Sequence, residues 1–334
     1  MNIDILRSSF LTTVQDLGRM GFREFGVSPG GALDSHALRV ANLLVGNKES
    51  AAGIEITFGG VQLRFADERI VAWCGGEFDV RIGSTSLPAG HAGFVRAGDV
   101  LIFNQPKTGC RSWLGISGGI DVPLVLGSRS TDLRANFGGL DGRALRDGDE
   151  VPLGGNSERP KILIEKLREQ KIANWKPPHD WSSPAKHEPV LRVICGSDSD
   201  RFNDVTIQRF TNDVFVVSTD SNRMGARLEG PHLQRDHDVD LVSEGVAPGT
   251  IQVPPSGQPI LLLGDCQTIG GYPKIAHVIT VDLSVAAQLR AGDTVRFREI
   301  SLAEAHRRLV ERERYLEQFC RGINCIFHEL DRRS

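Results

Sequence analysis

The chain has no long apolar segment and no large excess of either charge, and each of these absences argues against a class of protein. No apolar run approaches the ~18 residues that a membrane-spanning helix needs, and the start, MNIDILRSSF, lacks the basic and apolar stretches of a secretory signal. Lys plus Arg total 39 against 42 Asp plus Glu, without long blocks of either sign, so bulk charge predicts neither nucleic-acid nor membrane binding. We therefore expect a cytoplasmic protein whose partners are small molecules or other proteins.

Cysteine chemistry and metal binding also have little support. The six cysteines are scattered without a C-x-x-C pair, which argues against a disulfide framework and against a structural zinc site in a chain of 334 residues. Two groupings could be read as metal ligands, although neither has a common ligand spacing: Cys320, Cys325 and His328, and His232, His237 and Asp238. We expect reduced thiols, a polar loop at the second grouping, and no metal site.

What the sequence has in abundance is glycine, proline and short β-branched runs. The 37 glycines and 16 prolines favour short strands joined by tight turns. Residues 54–153 contain strand-like runs at roughly ten-residue spacing, the rhythm of a sandwich or barrel: IEITF, VQLRF, IVAWC, FDVRI, DVLIF and SWLGI. Similar runs resume at 191–196, 214–218 and 294–297. The sequence predicts a mainly β protein with a first module over 1–155, a Pro-rich connecting segment over 156–189 and a second module over 190–300.

Two helices interrupt or follow the strands. Asp34 is a credible N-cap for an apolar stripe over 37–45, and Gly46 can take the left-handed position after it. Ser301 with Glu304 three residues later forms a capping-box pattern, and apolar residues then recur at helical spacing. The sequence therefore predicts an amphipathic C-terminal helix over 301–334.

The strongest functional signal is the segment 253–273, VPPSGQPILLLGDCQTIGGYP, in which a buried strand is bracketed by two glycine- and proline-rich loops. In extended conformation Asp265 and Gln267 point the same way and Cys266 points the other way. A carboxylate and an amide together can hold the N–H and C=O of an amide or urea group, and Lys274 can offset charge on an attacked carbonyl oxygen. Tyr272 lies in the same loop. The alternative interpretation is a tight turn with polar groups facing solvent.

A second group of candidates lies near the start and in the middle of the chain. Gln15, Asp16 and Arg19 precede a Gly-Gly turn that runs into the Asp34 helix, an arrangement suited to a phosphate or carboxylate, unless Asp34 simply caps its helix. Arg223 and Arg227 can form a bidentate clamp on a substrate carboxylate, with a surface ion pair to Glu229 or Asp220 as the alternative. The string RMGFR at 19–23 resembles RMGAR at 223–227, which suggests either an ancient duplication or chance recurrence of a glycine-rich turn.

Several of these strings together resemble one known family. TTVQDLGRMGFREFGVSPGGALD, SNRMGARLEG and SEGVAPGTIQVPPSGQPILLLGDCQTIGGYPKIAHV look like the allophanate hydrolase subunit 2 family, also labelled biotin-dependent carboxyltransferase. That family includes the C-type subunit of bacterial ATP-dependent 5-oxoprolinase, the antagonist of the sporulation-kinase inhibitor, and part of urea carboxylase. The resemblance spans roughly Ser9 to Ile300.

The resemblance implies two cyclophilin-like β-barrel modules and companion proteins that complete the site. The companions expected are a B-type subunit, similar to allophanate hydrolase subunit 1, and an A-type subunit, with ATP, and Mg²⁺ with it, used at the level of the complex. The chain has no Met-Lys-Met biotin motif and no P-loop G-x-x-x-x-G-K, so we expect no biotin attached to it. The family's polar positions fall here on Gln15, Asp16, Arg19, Asp34, Glu55, Arg223, Gln252, Gln258, Asp265, Gln267, Tyr272 and Lys274.

Three functions follow as hypotheses from the resemblance and the residues. The first is one component of ATP-dependent 5-oxoprolinase, a hydrolase that opens the lactam of 5-oxoproline to glutamate, with this chain inactive in the absence of its partners. In this hypothesis Asp265, Gln267, Lys274 and Tyr272 are catalytic, and Arg223 holds the substrate carboxylate. The other residues expected to bind substrate are Gln15, Asp16, Arg19, Asp34, Gln252 and Gln258. The second is carboxyl transfer to urea or a related amide with a separate biotin carrier. The third is a non-catalytic regulator that binds a kinase inhibitor.

Overall fold

A computed structural model describes residues 1–184, 186–235 and 241–331. By the density of their contacts the residues divide into two compact units, which we describe separately. Unit 1 comprises Met1–Arg19, Asp34–Ala185 and Arg314–Ser334, and unit 2 comprises Met20–Leu33 and Lys186–Glu313. Each unit thus draws on more than one stretch of the chain, whereas the sequence analysis divided the chain into consecutive segments.

The described residues of unit 1 form two antiparallel sheets, three helices of its own and the C-terminal part of the last helix of the chain. The strands are β1 (Asn2–Arg7), β2 (Leu11–Gln15), β3 (Gly53–Thr57), β4 (Val61–Phe65), β5 (Arg69–Gly75), β6 (Phe78–Ile82), β7 (Thr85–Ser86), β8 (Gly93–Val95), β9 (Val100–Pro106), β10 (Arg111–Ile116) and β11 (Glu150–Pro152). The helices are α1 (Ser35–Leu44), α2 (Glu158–Gln170) and α3 (His179–Ser182). One sheet has the order β11-β1-β4-β9-β6-β7 and the other β2-β3-β10-β5-β8. The segment expected to connect the modules contains α2 and α3.

The two sheets of unit 1 enclose its core. In β1, β4 and β6 of the first sheet buried residues alternate with more exposed ones, as expected for a sheet with one face on the core, whereas β3, β5 and β10 of the second sheet are buried at every position. Trp73 of β5 meets Phe103 of β9 edge to face, with ring centroids 5.8 Å apart, and its Nε1 donates to the carbonyl of Leu87 at 2.9 Å. Aromatic pairs of this geometry contribute about 0.5–1.5 kcal/mol beyond the area that they bury.

Helix α1 packs on the second sheet because two strands carry glycine beneath it. A Cβ on Gly115 of β10 would lie 2.9 Å from the backbone of Ala41, and one on Gly53 of β3 would lie 2.8 Å from Leu38. Asp34 caps the helix by accepting from the backbone N–H of Ala37 at 2.9 Å. The predicted cap and the helix that follows it are confirmed.

Unit 2 is built around a closed barrel of seven strands. Its strands are β12 (Val190–Cys195), β13 (Phe215–Val217), β14 (Gly225–Glu229), β15 (Glu244–Gly245), β16 (Thr250–Gln252), β17 (Ile260–Leu262), β18 (Ile269–Gly270), β19 (Lys274–Val278) and β20 (Thr294–Glu299). The barrel order is β12-β19-β16-β17-β14-β13-β20, closed by parallel pairing of β20 with β12. Strands β15 and β18 form a separate two-stranded ribbon. Helices α4 (Asp204–Asn212) and α5 (Leu283–Ala286) complete the unit.

The last helix, α6, spans Leu302–Asp331, as the capping pattern predicts. The Oγ of Ser301 accepts from the backbone N–H of Glu304 at 3.2 Å, and Glu304 then pairs with Arg308 one turn later. The mainly β fold class with a C-terminal helix is therefore confirmed. No helix in the described part of the chain is long and apolar enough to cross a membrane.

Candidate functional site

The polar residues that the sequence places around 250–277 meet on one face of the pair formed by β16 and β19. Thr250 is opposite His277 and Gln252 is opposite Lys274, with a bulge between these two pairs. The extra residue of a bulge shifts the alternation of side chains by one position. The bulge thus brings Lys274 and His277, three residues apart, to the same face as Thr250 and Gln252. We call this surface the Lys274 face.

Lys274 is the charged centre of this face. Its side chain is buried, and its Nζ lies 2.9 Å from Asp198 Oδ2 and 3.1 Å from Glu244 Oε2. Burial alone would lower the pKa of Lys274, but the two carboxylates outweigh it and hold that pKa above its ordinary value. Burial likewise pushes the pKa of Asp198 up, and the hydrogen bonds from Lys274 outweigh it and bring that pKa below its usual range. The ammonium group is therefore fixed and charged.

Amide groups lie beside the ammonium group. Gln252 is buried and donates from Nε2 to the carbonyl of Tyr272 at 3.0 Å, while its Oε1 accepts from Gln267 Nε2 at 3.4 Å. A Cβ on Gly270 would lie 2.9 Å from Gln252 Nε2, so a larger residue at this point of the ribbon strand β18 would displace the Gln252 amide. The side chain of Tyr272 is 45% exposed. Together these groups give one cation and two carboxamides at a partly open surface, with Tyr272 in contact through its backbone carbonyl.

His277 and Thr250 extend the face. Thr250 Oγ1 and His277 Nδ1 are 3.2 Å apart. Burial, and then the positive charge of Lys274, lower the pKa of His277, with Asp198 acting in the opposite direction. The imidazole is therefore biased toward its neutral form, in which one nitrogen can donate and the other accept.

Arg223 and Asp265 bind each other. Arg223 Nε lies 2.8 Å and Nη2 3.1 Å from the two carboxylate oxygens of Asp265, a bidentate pair, and Nη2 also donates to the carbonyl of Gly31 at 2.7 Å. The partner that the structure shows for Arg223 is 42 residues away in sequence, whereas the sequence analysis offered Glu229 or Asp220. The pair fixes the loop that follows β17, in which Asp265 lies in a turn.

Cys266 lies in the loop after β17, outside any strand, so the strand alternation assumed in the sequence analysis does not apply to it. It is fully buried and packs with Val246 and Leu262. Burial is the main cause that raises the pKa of its thiol to about 11. A thiol held protonated and out of solvent is a poor nucleophile.

Gln258, also a predicted site residue, has a different environment. Its Oε1 accepts from the backbone N–H of Gly230 at 2.8 Å and its Nε2 donates to the carbonyl of the same residue at 3.2 Å. The side chain thereby ties two loops of unit 2 together, and the structure does not bring it to the Lys274 face.

The predicted site residues of unit 1 form a second polar cluster, centred on Asp16. Its carboxylate accepts from the hydroxyls of Ser128 and Ser130 at 2.6 Å each, and from the backbone N–H groups of Gly18 at 2.8 Å and Arg129 at 2.6 Å. Arg19 is buried, donates to the carbonyl of Ser130, and lies over the ring of Phe137 with 4.6 Å to its centroid. The cluster holds the 128–130 loop against the end of β2.

The remaining residues of this group are equally buried. Gln15 donates from Nε2 to Thr13 Oγ1 at 3.1 Å and to the carbonyl of Thr131 at 3.3 Å. Asp34 caps α1, and Glu55 accepts from Trp113 Nε1 at 2.8 Å. Through these contacts the three side chains serve the local structure of unit 1.

Four residues at the Lys274 face were missed by sequence reasoning: Asp198, Glu244, Thr250 and His277. Asp198 follows strand β12 in the string GSDSD, a glycine-punctuated acidic turn of the kind that ends a strand at a site. Glu244 precedes the GVAPGT string, and His277 lies on the strand that begins with Lys274. No local pattern could have joined them, because Asp198 is 76 residues from Lys274 in sequence.

Neither metal grouping considered from the sequence gains support from the described residues. His237 and Asp238 lie outside them, and nothing is described of the side chain of His328. In residues 1–184, 186–235 and 241–331 no group of three His, Cys, Asp or Glu is placed to hold a metal ion.

Comparisons with known proteins show which relatives share this fold and sequence. Residues 25–299 match the family model "Carboxyltransferase domain, subdomain A and B". The chain is 40% identical to the C subunit of 5-oxoprolinase from Escherichia coli (strain K12), over 95% of this chain and 97% of that protein. It is 36% identical to the C subunit of 5-oxoprolinase from Haemophilus influenzae, over 96% and 99%. The crystal structure of Kluyveromyces lactis urea carboxylase superposes with a TM-score of 0.85 at 29% identity, over 95% of this chain and 29% of that chain.

Proposed function

The chain belongs to the carboxyltransferase-domain family that includes the C subunit of 5-oxoprolinase, and from this membership we propose that it is one component of a 5-oxoprolinase. The observation that carries the proposal is the 40% identity that runs almost from end to end of the Escherichia coli protein. A match over 97% of that relative leaves no large part of it unaccounted for, whereas the urea carboxylase chain is more than three times longer than the region matched.

The proposed reaction is ATP-dependent opening of the lactam of 5-oxoproline to give glutamate, by a complex with A-type and B-type partners. A lactam carbonyl is a poor electrophile. Transfer of the γ-phosphoryl group of ATP to its oxygen releases ADP and makes the carbon open to attack by water. Cleavage of the C–N bond, with protonation of the nitrogen, leaves an acyl phosphate. A second water then hydrolyses this acyl phosphate to glutamate and phosphate. ATP is a substrate of the complex in this scheme, and the chain is inactive without its partners.

Geometry at the Lys274 face supports assignment of the lactam to this surface. The fixed ammonium of Lys274 can stabilise the negative charge of the phosphoryl group that is transferred to the lactam oxygen, and such electrostatic stabilisation is typically worth about 2.7–4 kcal/mol for each donor. The amides of Gln252 and Gln267 provide a donor and an acceptor for the lactam N–H and C=O, and Tyr272 is accessible beside them. Because Arg223 and Asp265 bind each other, we assign both to positioning of the loop that carries Gln267.

A reconstitution tests the proposal. The chain is mixed with its two partner proteins, and ADP release is measured with and without 5-oxoproline. We expect ADP release that depends on 5-oxoproline and glutamate formed in equal amount. The proposal fails if the assembled complex shows neither, or if omission of this chain leaves the activity unchanged.

Carboxyl transfer to urea or a related amide is the second candidate, because the urea carboxylase fold superposes so closely. Urea carries the same N–H and C=O groups that the amides of Gln252 and Gln267 would hold. A separate biotin carrier would supply the carboxyl group. The same preparation, given carboxybiotin and urea, separates the two candidates: consumption of carboxybiotin that depends on urea would support the second.

A further inference from the structure

Unit 1 has a basic cleft that shares only Arg129 with the Asp16 cluster. Its volume is about 740 Å³, and three short segments and three isolated residues line it: 46–48, 50–51, 157–159, Gly118, Arg129 and Gly155. Three of the lining side chains are cationic, namely Lys48, Arg129 and Arg159, and one is anionic, Glu158. A pocket of this volume lies within the range that holds small organic ligands, which is about 300–1,000 Å³.

The cations in the cleft are incompletely neutralised. Lys48 and Arg159 form no ion pair with any described residue, and the guanidinium of Arg159 lies 5.8 Å from the ring centroid of Phe327. Arg129 donates from Nη2 to Asp121 at 2.8 Å and from Nε to the carbonyl of Val122 at 2.9 Å. Its Nη1 forms no hydrogen bond in the described structure. The single lining carboxylate, Glu158, is paired with Lys161 at 2.7 Å. The cleft therefore carries an excess of positive charge.

The walls of the cleft are close-packed backbone. A Cβ on Gly46 would lie 3.1 Å from both Arg159 Cβ and Pro160 Cδ, and one on Gly118 would lie 2.3 Å from the carbonyl oxygen of Gly154. The Asn47 amide fixes the first segment by donating to the carbonyl of Ile116 at 2.7 Å and accepting from the N–H of Gly118 at 2.9 Å. The cationic side chains thus project from a rigid frame, which lowers the entropy cost of binding.

Asp16 connects this frame to the polar cluster described above. The backbone N–H of Arg129 donates to Asp16 Oδ2 at 2.6 Å, so the buried carboxylate fixes the residue whose guanidinium lines the cleft. Asp16 is a positioning residue for the cleft on this geometry.

We propose that this cleft is a binding site for a polyphosphate anion, held by Lys48, Arg129 and Arg159. Guanidinium groups bind phosphate oxygens through two parallel donors, and ammonium groups bind them as point charges. Three cations arranged around a volume of about 740 Å³ suit a chain of two or three phosphate groups better than a single monovalent anion. The proposal concerns unit 1 and holds whether or not the chain belongs to a lactam-opening complex.

The test is calorimetric titration of the full chain with ATP, tripolyphosphate, inorganic phosphate and sulfate, at about 50 mM and about 200 mM salt. We expect ATP and tripolyphosphate to bind at least tenfold more tightly than phosphate or sulfate, and more weakly at the higher salt concentration because ions screen exposed charges. Equal affinities for ATP and tripolyphosphate would show that the phosphate chain alone is recognised. A higher affinity for ATP would indicate additional contacts to the nucleoside. No difference between tripolyphosphate and sulfate would overturn the proposal.

A matched pair of double variants separates the cleft from general surface charge. Lys48→Gln/Arg159→Gln removes two cleft cations and should weaken tripolyphosphate binding at least tenfold. Lys166→Gln/Arg168→Gln removes the same charge from positions of α2 outside the cleft, and should change binding less than twofold. Glu158→Gln should tighten binding. Equal losses in the two double variants would contradict the proposal, and thermal unfolding of each variant confirms that it is folded.

Discussion

Asp16 in unit 1 and Lys274 in unit 2 are both buried charges with several partners, but they are stabilised in different ways. The four donors to Asp16 are neutral hydroxyl and backbone N–H groups, all from buried or half-buried residues. Lys274 is held by two carboxylates, and one of them, Glu244, has 63% of its side chain exposed. The neutral donors around Asp16 shield its carboxylate from solvent. The network around Lys274, by contrast, remains open to solvent and to a ligand.

The difference separates residues that build the fold from residues that can do chemistry. A carboxylate with its hydrogen-bonding capacity filled stabilises a loop and has little left to offer a substrate. A charged group at the edge of an accessible surface, with carboxamides beside it, can exchange protein contacts for substrate contacts. We therefore expect substitutions at the two centres to affect different properties: stability in unit 1 and turnover in unit 2.

The largest effect on stability is expected from Asp16→Ala. The substitution leaves two hydroxyls and two backbone N–H groups without their acceptor, and it should lower the free energy of unfolding by about 3–5 kcal/mol. Urea denaturation followed by tryptophan fluorescence measures it, since all four tryptophans lie in unit 1. Asp16→Asn retains acceptor capacity and should fall between the wild type and Asp16→Ala. If the urea midpoint of Asp16→Ala equals that of the wild type, the proposed difference between the Asp16 and Lys274 networks is contradicted.

The next largest effect is expected from the Arg223 and Asp265 pair. Arg223→Ala leaves a mostly buried carboxylate without its counter-ion, at a cost of about 3 kcal/mol, which urea unfolding followed by circular dichroism can measure. The double variant Arg223→Met/Asp265→Leu should recover much of that loss, because no uncompensated charge remains. Should Arg223 instead clamp the substrate carboxylate, Arg223→Ala would raise KM for 5-oxoproline far more than it lowers stability.

Two glutamines from the same stretch of sequence provide a smaller and more selective contrast. Gln252→Ala removes a buried amide next to Lys274 and should reduce kcat/KM of the assembled complex at least tenfold, about 1.4 kcal/mol. Gln258→Ala removes only the hydrogen bonds to Gly230 and should leave kcat/KM within twofold of the wild-type value. Equal effects of the two substitutions would show that proximity to Lys274 does not matter.

The smallest effect is expected from the pH dependence that His277 contributes. Because burial and Lys274 lower its folded-state pKa below the ordinary 6.5, the unfolded chain binds a proton first as pH falls. Stability should therefore rise with pH between the folded-state pKa and 6.5, by less than about 1.4 kcal/mol for each unit of pKa depression. His277→Gln should flatten that part of a urea-midpoint profile measured from about pH 5 to 7. A wild-type profile with the opposite slope would contradict the assignment.

Local features of the fold could be predicted from the sequence. The caps at Asp34 and Ser301 predict the starts of α1 and α6, because a capping side chain bonds to backbone only three residues away. The strand-like runs between 54 and 116 are confirmed as β3, β4, β5, β6, β9 and β10 for a similar reason, since alternation and turn residues are properties of a short segment.

Features of the site that depend on register or on distant residues could not be predicted. The bulge between β16 and β19 decides that Lys274 and His277 share a face, and regular alternation would have separated them. The bidentate bond between Arg223 and Asp265 joins residues 42 positions apart, and it occupies two groups to which the sequence analysis assigned substrate contacts. Those contacts stay a prediction, as do the roles given to Gln15, Arg19 and Asp34.

The most direct test of the account is the 5-oxoproline-dependent ADP release of the assembled complex with Lys274→Ala. Loss of the fixed ammonium should lower kcat by about 100–1,000-fold, as expected for removal of a group that stabilises negative charge in the transition state. Lys166→Ala, which removes an exposed lysine from α2, is the matched control and should retain wild-type kcat. A Lys274→Ala complex that is folded, assembled and as active as the Lys166→Ala complex would contradict the proposal that the Lys274 face opens the lactam.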